Sequence, residues 1–325
     1  MSRRRIVVTG ATGFIGQHLV SRLFEDGERV CILTRNPEKV PFEWKKRLAI
    51  LKGDLLDKDF SLPDNADVVF HCAGEIKDKD KFEKTNVEGT KNIVRACLEH
   101  GHCKLVYLSS VGVMGSEKPG VVDETEPCSP KNMYEKTKYE AERVIHEAIK
   151  NFGLNAVLLR PSIVYGPGIA KGRDSFLALI QAIKRGRFCV FGKEPSYYNI
   201  VYVGDVVEAL IFLAQADVKA SGGVFIINDA ISWQCFSEEV LAILKMRGLV
   251  FKMPKIVGYV LVLVCEAGRR IGIKMPFSLS RYRAIACKTI FSSERLLKQR
   301  GFKFRYGNTE GIRSTLEHYL SQGLL

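Results

Sequence analysis

The stretch VTGATGFIGQHL, residues 8–19, places Gly10, Gly13 and Gly16 three residues apart between a β-branched run and an amphipathic pattern. A strand that runs straight into such a turn and then a helix is the context a dinucleotide needs. The first glycine allows the tight turn, the second lets backbone approach a diphosphate, and the third lets helix pack on strand. The helix start then offers unpaired N–H groups and a positive dipole end to the phosphates. Taken alone, the stretch fits an unliganded glycine turn as well.

Outward from this turn, short β-branched runs alternate with helical patterns. Arg5 to Thr9, Val30 to Thr34, Leu48 to Lys52, Asp67 to His71, Lys104 to Ser109 and Asn155 to Leu159 read as buried strands. Residues 14–26 set Ile15, Leu19, Val20, Leu23 and Phe24 on one helix face ahead of Gly27, and residues 134–152 do likewise with Ala141, Val144, Ile145, Ala148, Ile149 and Phe152. Strict alternation of this kind implies an α/β fold of the Rossmann type: a doubly wound parallel sheet covered on both faces. After Arg160 the rhythm breaks at Pro161, Gly166, Pro167, Gly168 and Gly172. The expected division is a dinucleotide-binding domain over 1–160 and a smaller mixed α/β substrate lobe over 161–325, with part of 200–228 returning to the sheet.

Composition narrows the function classes. The 325 residues are 46% hydrophobic and 26% charged, without repeat or low-complexity tract, which describes an ordinary globular chain. Its nine cysteines are scattered, with no CxxC pair and no His/Cys cluster at metal spacing, so no metal is expected. An odd cysteine count, and an N-terminus MSRRRIVVTG that passes directly into a strand, point to a cytoplasmic protein. The formal charge of +13 favours anionic partners. No zinc-finger spacing, RNP motif or aromatic-interleaved basic block is present, which argues against nucleic acid.

The end of the second strand reads LTRN, residues 33–36. NAD sites usually carry an acid there to accept from the ribose 2′-hydroxyl, whereas Arg35 would pair with a 2′-phosphate. NADP(H) is therefore favoured, with NAD(H) the alternative. Further along, Tyr134 and Lys138 in YEKTK stand four residues apart and share a helix face. An ammonium beside a phenol favours phenolate and would lower its pKa, allowing proton exchange with a substrate oxygen near neutral pH. A serine at the end of the preceding strand, in SSVGVMG, would hold that oxygen.

With these pieces in place, the chain resembles the extended short-chain dehydrogenase/reductase family, which includes sugar-nucleotide epimerases and dehydratases, 3β-hydroxysteroid dehydrogenases and flavonol-type reductases. TGATGFIG, GDLLD, VVFHCAG, TNVEGT, LSSVGVMG, YEKTK, RPSIVYGPG and VYVGDVVEAL occur in family order along most of the chain. The resemblance implies that Tyr134 is the general acid/base, that Lys138 is its partner and a ribose ligand, and that Ser110 is the catalytic serine. Asn86 would support the helix carrying Tyr134; a plain helix cap is the other reading of that residue. Around the cofactor it implies Gly10, Thr12, Gly13, Phe14, Ile15, Gly16, Arg35, Asp54, Leu55, Cys72 and Ala73, with Pro161 and Ile163 at the nicotinamide end. His71 is either a cofactor contact or a core histidine. Tyr165, Gly166 and Pro167 are either ligands or a turn. Met114 stands where the family often has Tyr.

For the substrate, Tyr198 occupies the position of an arginine that sugar-nucleotide members commonly use for the diphosphate, and no RxGD motif follows, although Arg281, Arg283 or Lys288 could substitute. The stretch Ile256 to Cys265 is apolar, too short to span a bilayer, and flanked by Lys252, Lys255, Arg269, Arg270 and Lys274. It fits a helix lining an apolar pocket, a peripheral membrane contact over 252–274, or a buried packing helix. The expected activity is hydride transfer to or from a secondary alcohol or ketone of a hydrophobic, sterol- or flavonol-like small molecule. A nucleotide-sugar 4-epimerase or 4-reductase is the alternative, and an NADP-binding sensor without chemistry the third. The family suggests a homodimer through apolar faces of the helices near 86–99 and 134–152.

Overall fold

The computed structural model describes residues 4–57, 59–64, 66–115, 118–169, 174–192, 194–215, 222–248, 250–270, 278–298 and 300–325. Gly172 and Lys274, and with Lys274 the end of the 252–274 segment, lie outside them. The central sheet has seven strands, β1 Arg5–Thr9, β2 Arg29–Thr34, β3 Ala49–Lys52, β4 Val68–His71, β5 Lys104–Leu108, β6 Ala156–Pro161 and β7 Val224–Ile227. They lie in the order β7-β6-β5-β4-β1-β2-β3, every neighbour parallel. This is the doubly wound Rossmann arrangement, in which the strand order reverses between β1 and β4 and opens a crevice at their carboxyl ends.

Alternate residues of each strand point to opposite layers. Ile6, Val8, Ile32, Phe70 and Val106 pack with Leu19, Val20 and Leu23 of helix Phe14–Glu25 and with Val206 and Leu210 of helix Val203–Gln215. Val7, Leu33, Val69, Leu105 and Tyr107 pack on the other face with Ile93 of helix Gly89–His100 and Ile145 of helix Met133–Phe152. Burial on both faces explains why the strands read as continuous apolar runs.

Of the segment 200–228, Val224–Ile227 is the outer strand of the sheet. Ile200–Tyr202 instead pairs in parallel with Ile163–Tyr165 in a separate two-stranded ladder. A third cluster, built on Phe176, Tyr198, Trp233, Phe236, Ile312 and Leu316, gathers the later helices.

The outward faces of helices Gly89–His100 and Met133–Phe152 differ from the expected apolar dimer surface. They carry charge, with Lys91 paired to Glu88, and Arg143 to Glu140 and Glu147. Ile93, Ala141 and Ile145 are directed into the core, and the large apolar side chains left exposed on these helices are Met133 and Phe152, at the two ends of one of them.

Candidate active site

The glycine turn explains its own sequence. Gly10 has φ +68°, and a Cβ there would fall 2.6 Å from the Ala73 nitrogen, so both conformation and space demand glycine. A Cβ on Gly16 would fall 2.1 Å from the Gly10 carbonyl oxygen, which is how helix Phe14–Glu25 comes to start hard against β1. That helix opens at Gly13 with no side-chain cap and no acidic residue in its first turn. Its leading N–H groups are thus turned toward a groove of about 380 Å³, lined by Gly10, Thr12, Gly13, Arg35, Asp54, Leu55 and Ala73, with Gly74, Glu75 and Thr85 on its far wall.

Several residues expected around the cofactor do not line this groove. Phe14 and Ile15 pack their side chains against the third cluster, and Phe14 lies edge-on to His18, so only their backbone belongs to the turn. Cys72 packs into the first core layer, and burial pushes its thiol up to about 12. Pro161 is buried at the end of β6 and Ile163 is exposed beyond it, neither of them lining this groove. Arg35 stands exposed at the rim, its guanidinium 3.9 Å from the Asp54 carboxylate.

Helix Met133–Phe152 is fixed at its start by a reciprocal capping box, in which Asn132 accepts from the Glu135 N–H and the Glu135 carboxylate reaches back to the Asn132 N–H. Deeper in, Arg160 of β6 grips Glu142 through Nε at 2.9 Å and its terminal nitrogen at 2.6 Å, with both side chains almost fully buried. A bidentate buried pair fixes orientation as well as position. Tyr134 is therefore held in the first turn, beside the end of β5.

Ser110 leaves β5 as the cap of the short helix Val111–Met114, accepting from the Gly112 N–H at 3.1 Å. Gly112 lies against Glu135, so the Ser110 turn and the Tyr134 turn adjoin. Lys138, fully buried, donates to the Leu108 carbonyl at 2.7 Å and sits 4.1 Å over the Tyr107 ring. Burial lowers its pKa from 10.5 to about 8.

The expected lowering of the Tyr134 phenol by that ammonium is not met. Burial raises the phenol, and the Glu135 carboxylate raises it further. The ammonium is directed at a carbonyl and a neighbouring ring, and desolvation governs the phenol.

A buried relay runs behind the site. Thr90 donates to the Asn86 carbonyl at 2.6 Å, so its oxygen accepts from His71 Nε2–H at 3.1 Å. His71 Nδ1 then accepts from Thr9 at 2.7 Å, and Thr9 accepts from the Ala73 N–H at 3.3 Å. This order assigns His71 as the neutral Nε2–H tautomer, and burial lowers its pKa from 6.5 to about 3. His71 is a satisfied core histidine.

Asn86 is not a helix cap. It lies inside the π-helical turn Glu83–Glu88, accepts from Glu75 N–H, and donates to the Glu75 carbonyl and to Thr137. Tyr165 is likewise core, stacked on Phe176 at 4.6 Å with its hydroxyl donating to Asn308. The adjoining loop binds the glycine-turn helix, with His18 at the Pro167 carbonyl and Gln17 at that of Gly168. Met114 is buried in a small apolar cluster.

Sequence reasoning missed Glu75 and Thr85. Glu75 follows the VVFHCAG strand directly and accepts from the N–H groups of Ile76, Lys77 and Asp78, which shapes the groove wall. The only signal was its place just past a strand end, where α/β sheets bind ligands.

At the same end of the sheet the Ser109 and Ser162 hydroxyls are buried without a hydrogen-bond partner among the described residues. Buried hydroxyls are rarely left so. The uncapped helix start and the glycine cradle fit a bound dinucleotide. Tyr198, which the resemblance sets at the position of a diphosphate arginine, is buried and stacked on Trp233 at 4.0 Å.

Comparison with known proteins agrees with this geometry. Residues 6–227 match the NAD dependent epimerase/dehydratase family. A 3beta-hydroxysteroid-dehydrogenase/decarboxylase of Arabidopsis thaliana is 27% identical, covering 98% of this chain and 80% of the relative. A decarboxylating sterol-4-alpha-carboxylate 3-dehydrogenase of Candida albicans is 31% identical over 72% of this chain and 70% of the relative. Among solved structures, MoeE5 in complex with UDP-glucose and NAD is 26% identical, with a TM-score of 0.71 over 98% of this chain and 99% of that one. The chain belongs to the NAD dependent epimerase/dehydratase family, as an NAD(P)-dependent oxidoreductase of the extended short-chain dehydrogenase/reductase type.

Proposed function

We propose that this protein oxidises or reduces a secondary alcohol or ketone on a hydrophobic, sterol-like molecule. The observation that carries the substrate class is Tyr198. Where a nucleotide sugar would need a cation for its diphosphate, the chain buries an aromatic ring against Trp233 and Phe236. Relatives named as sterol and steroid dehydrogenases point the same way.

Gly10, Thr12, Gly13, Asp54, Leu55 and Ala73 would hold the dinucleotide in the groove they line, with its diphosphate at the uncapped helix start. When bound, that group accepts or supplies the hydride. The chain's own part is the proton and the positioning. Tyr134, kept protonated by burial, gives its phenolic proton to the substrate oxygen in reduction and takes it back in oxidation. Ser110 donates a hydrogen bond to the same oxygen. Lys138, fixed on the Leu108 carbonyl, orients the nicotinamide ribose and offsets charge developing at Tyr134. Asn86 acts through Thr137 as a positioning residue.

For the cofactor, Arg35 at the groove rim supports NADP(H), since a 2′-phosphate would draw its guanidinium from a pairing with Asp54 that is long and exposed. NAD(H) remains the competing cofactor through Asp54 itself, and NAD bound to MoeE5 favours it.

One experiment tests the whole reading. The purified protein is given NADPH or NADH, or their oxidised forms, with 3β-hydroxysterols, their 4-carboxylates, the matching ketones, and UDP-sugars, and the nicotinamide absorbance is followed. Turnover of sterols, faster with NADP(H) and lost in Tyr134→Phe, is the expected result. Tight binding of free UDP with turnover of UDP-sugars alone would transfer the assignment to an epimerase or reductase of nucleotide sugars.

A further inference from the structure

Helix Lys255–Arg270 buries a narrow stripe, Gly258, Val262 and Cys265, and Gly258 sits so close to Phe191 and Tyr282 that a Cβ would fall within 2.7 Å of both. The opposite side should be polar in a helix that faces water. Instead Ile256, Tyr259, Val260, Leu263 and Val264 are each more than half exposed, Ile256 to 73%. With Val257 and Leu261, seven large apolar side chains of this one helix face outward. Scattered exposed apolar residues are ordinary; a contiguous face of this kind marks a binding surface.

What binds is indicated by charge. Residues 250–291 hold eight Lys or Arg against the single acid Glu266, more than half of the chain's formal excess of +13. Lys255 and Arg270 stand exposed at the two ends of the helix, and Arg283 is exposed on the neighbouring helix Leu279–Ile285. The helix is 16 residues long, about 24 Å, whereas a span needs about 20 apolar residues. Among the described residues, no helix is long and apolar enough to cross a membrane.

We propose that this face docks on the surface of an anionic lipid bilayer, the apolar side chains entering the acyl boundary and the basic residues contacting the headgroups. The proposal stands apart from the substrate assignment, since it uses no residue of the cofactor groove.

The full chain is mixed with phosphatidylcholine vesicles, with or without phosphatidylglycerol, and sedimented. The protein pellets with the anionic vesicles and is released by high salt. Val260→Asp with Leu263→Asp weakens that partition about tenfold, while dinucleotide binding and circular dichroism match the wild type. Should that double variant fail to fold, Lys252→Gln with Arg270→Gln keeps the test, each lost charge weakening binding about fivefold. Protein left in the supernatant with both kinds of vesicle overturns the proposal. So does light scattering of a dimer that Val260→Asp with Leu263→Asp converts to monomer, because a second copy would then cover the face.

Discussion

Asn86 Nδ2 donates to Thr137 Oγ1 across 3.1 Å and ties the π-helical turn to the helix that carries Tyr134. The same side chain accepts from the Glu75 N–H at 2.8 Å, so one buried amide holds both the groove wall and the helix that begins with Met133 and Tyr134. Asn86→Ala is expected to cost about 2 kcal/mol of stability, the net worth of buried bonds plus the groups left unpaired. It should also lower kcat and raise KM for the dinucleotide together. Thermal unfolding with steady-state kinetics checks this; a lowered Tm with unchanged kinetic constants in the folded enzyme would make Asn86 structural only.

His71 makes acid stability a local property. Its folded pKa of about 3 lies below the ordinary 6.5, so between these values the unfolded chain binds the extra proton. The stabilisation is present in full above about pH 6.5 and is lost as pH falls toward 3, by up to about 5 kcal/mol. His71→Gln should be less stable at neutral pH yet show a flatter fall in urea-unfolding free energy from about pH 7 to about pH 4. Parallel slopes in variant and wild type would contradict the buried neutral tautomer.

The same contrast between pattern and partner governs what was legible in the sequence. Strands such as Val30 to Thr34 were readable because burial on both faces leaves an uninterrupted apolar run, and Tyr134 with Lys138 because four residues bring side chains onto one helix face. Partners distant in sequence were not readable. Ile200–Tyr202 has the composition of a sheet strand, and only its pairing with Ile163–Tyr165 takes it out of the main sheet. Lys138 turns to Leu108 rather than to the phenol, a choice set by which carbonyl lies across the helix interface. Glu75 shapes the groove through local backbone bonds that leave no periodic trace. The charged outer faces of the expected dimer helices follow from i,i+3 and i,i+4 ion pairs that were present in the sequence but overshadowed by the apolar positions facing inward.

Asp205 anchors the last helix. The fully buried carboxylate accepts from the N–H groups of Arg305, Tyr306 and Gly307 at 2.8, 3.0 and 2.9 Å, just ahead of helix Gly307–Ser321. Asp205→Ala strands three donors and is expected to destabilise by about 3 kcal/mol. Asp205→Asn, which keeps an acceptor for two of them, should cost less than that. Calorimetry orders the three proteins; a wild-type Tm in Asp205→Ala would remove the clamp from the account.

Lys138 should set activity and stability moving in opposite directions with pH. Its folded pKa of about 8 lies below the ordinary 10.5 because burial penalises the ammonium. Below about 8 both folded and unfolded chains carry the charge, and the folded one bears the full penalty. Between 8 and 10.5 the unfolded chain binds more protons, so stability rises with pH, by at most about 3 kcal/mol. A role that needs the ammonium runs the other way, and kcat/KM, which reports the free enzyme, should fall as pH passes through about 8. Lys138→Met is expected to remove the alkaline gain in stability and nearly all turnover at once. Lys138→Arg, charged throughout, should keep a small activity without the alkaline limb. An unchanged limb in Lys138→Arg would assign it to another group and break the link between this buried ammonium and the reaction.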